Sequence, residues 1–367
     1  MQFGLTETQQ LLKNSARDFF PAECPMAEVR RIMEIDGAYD VMLWRLLAEH
    51  GWTGMIFDEE HGGMGLGLVE MAVAAEEMGR ILLPGPYFST VFLAGALLNA
   101  LPKNTGRNAC ATAICEGRER ATVALLEESA RWDTGGVRMQ VVDGRLTGRK
   151  LFVPDASAAE CLLAIVRAGD ELAITQVHNA ASGVSIRAMP SIDRTRHLYA
   201  VDFDQVEVEI LATGDEAQRA LDRAMDIATV ALAAEMVGGM ERITEIAVDY
   251  AKTRKQFGKP IGQFQAIQHQ CADMLLLTES SRSAAYYAAW ALQENAPDAR
   301  TAVSVAKSYA SEAYREAGNR AIQVHGGMGF TWENDLHLYY RRAKASEIAF
   351  GDAAFHRERI ARMVIDA

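Results

Sequence analysis

Two glycine-bearing segments in the last third of the chain carry residue types that hold anions. RKQFGKPIGQFQAIQHQCADM (254–274) and AIQVHGGMGFTWENDLHLYYRRAK (321–344) each set an arginine or a glutamine beside glycines at a helix boundary. Glycine lets a diphosphate approach the backbone closely, and the free amides of a helix N-terminus favour negative charge. Taken alone, Gly326-Gly327 reads as a plain helix C-cap or turn, and His325 in the same turn as a structural histidine. Arg341 and Arg342 are expected to make salt bridges. The cysteines offer no comparable chemistry. Cys24, Cys110, Cys115, Cys161 and Cys271 are odd in number and widely spaced, which argues against a disulfide framework, and no CxxC pair suggests a metal. Cys110 and Cys115 are expected to be simply buried.

The elements that must position these segments fall into three blocks. Thr6 can cap a first helix, with Gln9 three residues on, and apolar residues follow at helical spacing. Residues 40–50 repeat the pattern, FDEEHGGMGLG (57–67) breaks it, and LVEMAVAAEEMGRIL resumes it. From about 119 the texture changes to short β-branched runs with turns at Asp143-Gly144 and Gly169-Asp170, which are hairpin signals. After Thr213 the chain is helical to its end, in four long amphipathic runs, the fourth over 333–365. The expected class is α+β multi-domain: an N-terminal helical domain (1–115), a middle antiparallel β-barrel or sandwich domain (116–213) and a C-terminal four-helix bundle (214–367).

Bulk composition excludes some partners. The 367 residues are 49% hydrophobic and 23% charged, ordinary for a globular protein of two or three domains. A net charge of -12 repels phosphate backbones, so nucleic acid is not expected as a partner. No apolar run reaches the ~18 residues of a membrane span, and the N-terminus lacks the pattern of a signal peptide. The cytoplasm is the simplest location.

The two C-terminal segments, together with FDEEHGGMGLGLVEMAVAAEEMGR (57–80), resemble the signatures of the acyl-CoA dehydrogenase family, in the same order and across essentially the whole chain. The resemblance implies FAD as cofactor and an acyl-CoA as substrate. It implies that Arg254, Phe257 and Gln265, with Gln323, Gly326 and Gly327, hold the pyrophosphate and adenosine of an FAD that sits largely on a neighbouring subunit.

The family reaction also needs a carboxylate base at the substrate α-carbon. Counted from RRAK, the Tyr-Glu-Gly-Thr run that supplies it falls on Ala349-Phe350-Gly351-Asp352, so the glutamate position is Phe350. The alternative position on the first bundle helix is Ala228, with Thr229 at its neighbouring arginine position. Neither can take a proton. Glu235 shares a helix face with Ala228 but lies about 10 Å along the axis. Asp352 and Glu347 are the other acids near the lost position, and Asp352 can instead cap a helix or pair with His356. The family's Thr-Glu-Pro-Gly-Ala-Gly-Ser-Asp segment appears as residues 126–133, beginning Leu126-Glu127-Glu128, and its Trp-Ile-Thr segment as Phe152-Val153-Pro154. The hydroxyl donors are gone and proline offers no N–H.

The resemblance therefore points to one subunit of an α2β2 heterotetramer of the steroid side-chain type. A paralogous chain would hold the base and the flavin ring, and an electron-transfer flavoprotein or similar acceptor would take the electrons. The alternatives are a self-sufficient homotetramer using Asp352 or Glu235 as base, and a flavin-free scaffold protein.

Overall fold

The computed structural model describes residues 4–35, 37 and 39–365. Helix α1 (Glu7–Glu23) starts where the sequence places it. The Thr6 hydroxyl accepts from the Gln9 amide while the Gln9 side chain accepts from the Thr6 amide, closing a capping box. Short helices α2 (Met26–Ile32) and α3 (Val41–Glu49) follow, the latter capped by Asp40. Helix α4 (Leu68–Arg80) comes next. A wide π-helix, Phe88–Gly95, then precedes α5 (Ala96–Ala100) and α6 (Thr105–Cys115).

The β section contains two four-stranded sheets. One is ordered β1 (Ala121–Ala124), β4 (Cys161–Ala168), β5 (Glu171–His178), β8 (Glu209–Thr213). The other is ordered β2 (Val141–Val142), β3 (Arg145–Pro154), β7 (Leu198–Glu207), β6 (Val184–Met189). The hairpin turns are the expected ones: Asp143 and Gly144 both adopt positive φ between β2 and β3, and Gly169 does so between β4 and β5. Leu162, Ala164 and Val166 from one sheet bury with Tyr199, Val201 and Phe203 from the other, so alternate residues fill one core. The sheets form a sandwich, not a closed barrel. The expected all-antiparallel pairing needs one correction: β1 pairs with β4 in parallel, because its partner lies across a long connection that no hairpin signal can announce.

The C-terminal section holds α7 (Gly214–Thr253), α8 (Gln265–Gln293) and α9 (Ala299–His325), with a small hairpin of β9 (Lys255–Gln256) and β10 (Lys259–Pro260) between the first two. The run 333–365 is not one helix. It divides into α10 (Leu336–Ile348) and α11 (Ala353–Ile365), because Phe350 and Gly351 both take positive φ and Asp352 caps the new start.

Contacts group the chain into two units: Met1–Val29, Leu68–Leu83 and Thr229–Ala367 in one, Arg30–Gly67 and Pro84–Ala228 in the other. Within the first, α4 and α7 meet main chain to main chain. A Cβ on Gly79 would overlap the Glu235 carbonyl, and one on Gly238 would overlap the Glu76 carbonyl. Beside this crossing, the buried neighbours Glu76 and Glu77 are ionically paired. Lys13 reaches Glu76 at 2.8 Å, Arg17 grips Glu77 with two hydrogen bonds, and Arg282 approaches Glu76 at 3.3 Å. Burial lifts the Glu77 carboxyl above the usual range, and Arg17 only partly offsets it.

Gly238→Val is expected to be among the most damaging single changes in the helical unit. No rotamer relieves a clash with backbone, so a cost well above the ~1–3 kcal/mol of ordinary overpacking is expected. Denaturant titration of the purified variant, or its yield as folded protein, measures this.

Candidate functional site

The residues that sequence reading assigns to an adenosine diphosphate gather at one end of the helical unit. Tyr250, in the last turn of α7, stacks on His325, in the last turn of α9, with ring centroids 4.2 Å apart. That stack brings the 254–260 hairpin and the Gly326 loop to the same end, and α8 begins beside them. The Ile261 amide returns to the Arg254 carbonyl at 2.8 Å, closing the hairpin's base. Its turn, Phe257-Gly258, has positive φ at both residues and projects the Phe257 ring, 93% exposed. The ring meets Phe264 edge-on at 6.1 Å, and Lys259 lies over Phe264 at 4.4 Å.

Arg254, Gln265, Gln323, Gly326 and Gly327 are all exposed. Gly326 caps α9 at φ 59°, and a Cβ on either glycine would meet nothing within 4 Å. The open main chain there suits a ligand that must come close. His325 is buried, its Nδ1 faces the Ala321 carbonyl, and burial pulls its pKa below the ordinary value. It is structural, as expected.

The acids considered as replacement bases are all otherwise engaged. Glu235, 6% exposed, receives the Arg342 guanidinium at 2.7 Å in a buried ion pair. That pair also meets the expectation of a salt bridge at Arg342. Asp352 is exposed and accepts the Phe355 amide at 2.8 Å as the cap of α11. Glu347 pairs with Arg315 and with Lys344. Phe350 and Ala228 are buried side chains without acid–base capacity.

Sequence reading missed what holds the Phe350 corner. Lys307, fully buried on α9, donates to Ser311 Oγ at 2.9 Å, the Glu347 carbonyl at 3.1 Å and the Gly351 carbonyl at 2.8 Å. His356 meets the Phe350 carbonyl at 3.1 Å. The available signal was a lone lysine among alanines and serines in SVAKSYASEA (304–313), on the helix face that packs inward.

In the sandwich, the segment in place of the family's flavin loop is fastened to its own sheet. Glu127 accepts from the Arg138 amide at 2.9 Å, the Met139 amide at 3.1 Å and Lys150 Nζ at 2.6 Å. Lys150 is fully buried and also donates to the Leu125 and Ile165 carbonyls. Burial alone would raise the Glu127 carboxyl; Lys150 and the two amides outweigh it and hold it below the ordinary value. Lys150 is itself pulled down by burial, against the pull of Glu127. Leu126 is buried and its carbonyl accepts from the Leu151 amide. At Phe152-Val153-Pro154 the strand bulges, and Phe152 has positive φ. Pro154 uses its only hydrogen-bonding group, the carbonyl, to accept from Thr122 at 2.6 Å. Among the described residues no cluster of His, Cys, Asp or Glu is arranged to hold a metal.

Comparison with known proteins adds the following. Residues 6–105 match the acyl-CoA dehydrogenase N-terminal domain and residues 217–365 the acyl-CoA dehydrogenase C-terminal domain. Acyl-CoA dehydrogenase IpdE2 of Mycolicibacterium smegmatis is 30% identical over 95% of this chain and 96% of its own. The IpdE2 of Mycobacterium tuberculosis is 31% identical over 93% of this chain and 92% of its own. Among solved structures, the Tcur3481-Tcur3483 steroid ACAD superposes with TM-score 0.87 at 29% identity, covering 98% of each chain. The ChsE4-ChsE5 complex of Mycobacterium tuberculosis superposes with TM-score 0.91 at 26% identity, covering 100% of each chain.

Glu235→Gln should cost about 3–5 kcal/mol of stability, because it leaves Arg342 charged and buried. Asp352→Asn should cost no more than about 1 kcal/mol, since asparagine caps almost as well. Urea unfolding of both variants measures the difference; equal costs would mean that Glu235 is not held as an ion pair.

Proposed function

The chain belongs to the acyl-CoA dehydrogenase family, and we propose that it serves there as the partner subunit of an FAD-dependent enzyme that desaturates an acyl-CoA between its α- and β-carbons. The carrying observation is an asymmetry. The family's adenosine-side residues are present and exposed at one end of the helical unit, while Glu235, Asp352 and Glu347, the acids weighed as replacement bases, are each engaged by the fold. A paralogous subunit then supplies the base and the flavin-ring contacts, in an α2β2 assembly.

The residues fit FAD on one side only. The open main chain at Gly326 and Gly327, with exposed Arg254, Phe257, Gln265 and Gln323, suits a pyrophosphate and an adenine ring. The Arg254 guanidinium would neutralise phosphate charge, and Phe257 offers a flat apolar face. The sandwich side does not fit: Glu127 is turned into its own sheet, and Pro154 has no N–H to give. FAD, when bound, accepts the hydride from the β-carbon. This chain's part is to orient that cofactor from across a subunit boundary. Removal of the α-proton falls to the paralogue.

Several further features support the assembly. Leu275 and Leu276 on α8, Tyr309 on α9 and Ile348 on α10 are exposed apolar side chains on the helical unit, as expected of surfaces covered by other subunits. Both structural relatives named above, the Tcur3481-Tcur3483 steroid ACAD and the ChsE4-ChsE5 complex, carry paired component names. On that basis we assign a bulky, steroid side-chain type of acyl group. An electron-transfer flavoprotein or similar acceptor would take the electrons. No helix among the described residues is long and apolar enough to cross a membrane, and we place the enzyme in the cytoplasm. We propose the division at 1–115, 116–213 and 214–367; the family matches at 6–105 and 217–365 support its first and last parts, while the contact units cut across it.

Expressed alone, the chain should purify without flavin absorbance and without dye-coupled acyl-CoA oxidation. Co-expressed with a paralogue that keeps the base and the flavin loop, it should give a yellow, active α2β2 complex. A yellow, active homotetramer from this chain alone would sink the reading. Within the complex, Arg254→Ala and Gly326→Val should each weaken FAD retention tenfold or more while leaving the assembly mass unchanged.

A further inference from the structure

The corner between α10 and α11 is held by two side chains that can each carry a positive charge. Lys307 presents its Nζ to three acceptors, Ser311 Oγ and the carbonyls of Glu347 and Gly351. Those match the three N–H groups of an ammonium. His356 is fully buried on α11, and its Nε2 faces the Phe350 carbonyl at 3.1 Å. A carbonyl only accepts, so the proton is assigned to Nε2 and Nδ1 carries the lone pair. Nδ1 is buried and has no hydrogen-bond partner among the described residues. Between them the two side chains hold the carbonyls of residues 347, 350 and 351, at the end of α10 and within the corner.

The acids that act on the pair, Asp352 on both groups and Glu347 on Lys307, are outweighed by burial and already have partners. On α9, Glu312 is paired with Arg357 of α11, and Arg315 with Glu347 of α10. On α10, Lys344 also turns to Glu347. On α11, Asp352 caps the Phe355 amide, and Arg359 adds further positive charge near His356. Protonating His356 would place a new N–H against no acceptor and a second buried cation beside Lys307.

We propose that the α10–α11 corner is a proton-sensitive latch, closed while the Lys307–His356 pair carries at most one positive charge and opened when a second proton enters. The latch stands independently of the partner-subunit reading. Burial first, and Lys307 next, pull His356 down to about 3. Burial pulls Lys307 down to about 7. Both values lie below those of the solvated groups, so the open corner binds protons more readily than the closed one. The closed corner therefore loses stability as pH falls. For His356 the loss begins near its ordinary pKa of 6.5 and runs toward 3. For Lys307 it runs from 10.5 to about 7, in the same direction. Below pH 6.5 the opening constant should rise about tenfold per pH unit, from the single proton on His356.

Amide hydrogen exchange of the full chain, corrected for intrinsic rates, tests this. Between pH 7.5 and 5.5, protection over residues 347–357 should fall about fortyfold, about tenfold from His356 and about fourfold from Lys307, with α8 unchanged as internal reference. In His356→Gln the same segment should keep only the roughly fourfold fall that Lys307 contributes as it protonates around 7. Unchanged wild-type protection across the range would overturn the latch, as would an equal fall in His356→Gln. If that variant does not fold, the imidazole of His356 can be titrated by NMR in the wild-type chain. Protonation near 6.5 without faster exchange at 347–357 would overturn the proposal, and a ring that stays neutral until the segment exchanges would support it.

Discussion

The contact of α4 with α7 at Gly79 and Gly238 sets the terms for much of the helical unit. Two helices that touch main chain to main chain leave no room between them for side chains or water. The carboxylates that flank the crossing, Glu76 and Glu77, are therefore buried and require Lys13, Arg17 and Arg282 around them. The same crossing fixes the turn of α7 that carries Glu235, and so fixes where Arg342 of α10 must come to meet it. A constraint written in two glycines thus extends through one buried ion pair to α10.

Local features were legible in the sequence because their causes are local. The Thr6–Gln9 capping box, the positive-φ turn at Asp143-Gly144 and the glycine cap of α9 each need only a few neighbouring residues. The features missed have causes distant in sequence. The parallel pairing of β1 with β4 joins residues about forty apart. The break after Ile348 has a local signal in Gly351 and Asp352, but its fastening by Lys307 comes from another helix. The engagement of Glu127 depends on a lysine 23 residues on, across two strands. As for the site, a lost glutamate can be counted from the sequence, but whether a nearby acid is free to replace it depends on partners such as Arg342, which only the folded chain supplies.

Two kinds of loss are visible. At Phe350 and Ala228 the acid is absent, while the surrounding backbone is kept in a defined conformation by Lys307, His356 and buried packing. In the 126–133 segment an acid is present, but its lone pairs are used up by the sheet. The residues proposed for the adenosine side lie at the opposite extreme, exposed and with few internal obligations, so their presence is difficult to attribute to stability.

The Glu127–Lys150 staple shows how far chemistry and architecture can be uncoupled in one loop. The carboxylate anchors the segment through main-chain amides and a buried ammonium, none of which depends on the identity of residues 128–133. The tip of that loop is thus free to drift without endangering the sandwich beneath it. A gene copy carrying such a staple can lose its reactive groups one by one and still yield a well-folded chain, and what keeps it from decay must then be the needs of whatever it binds.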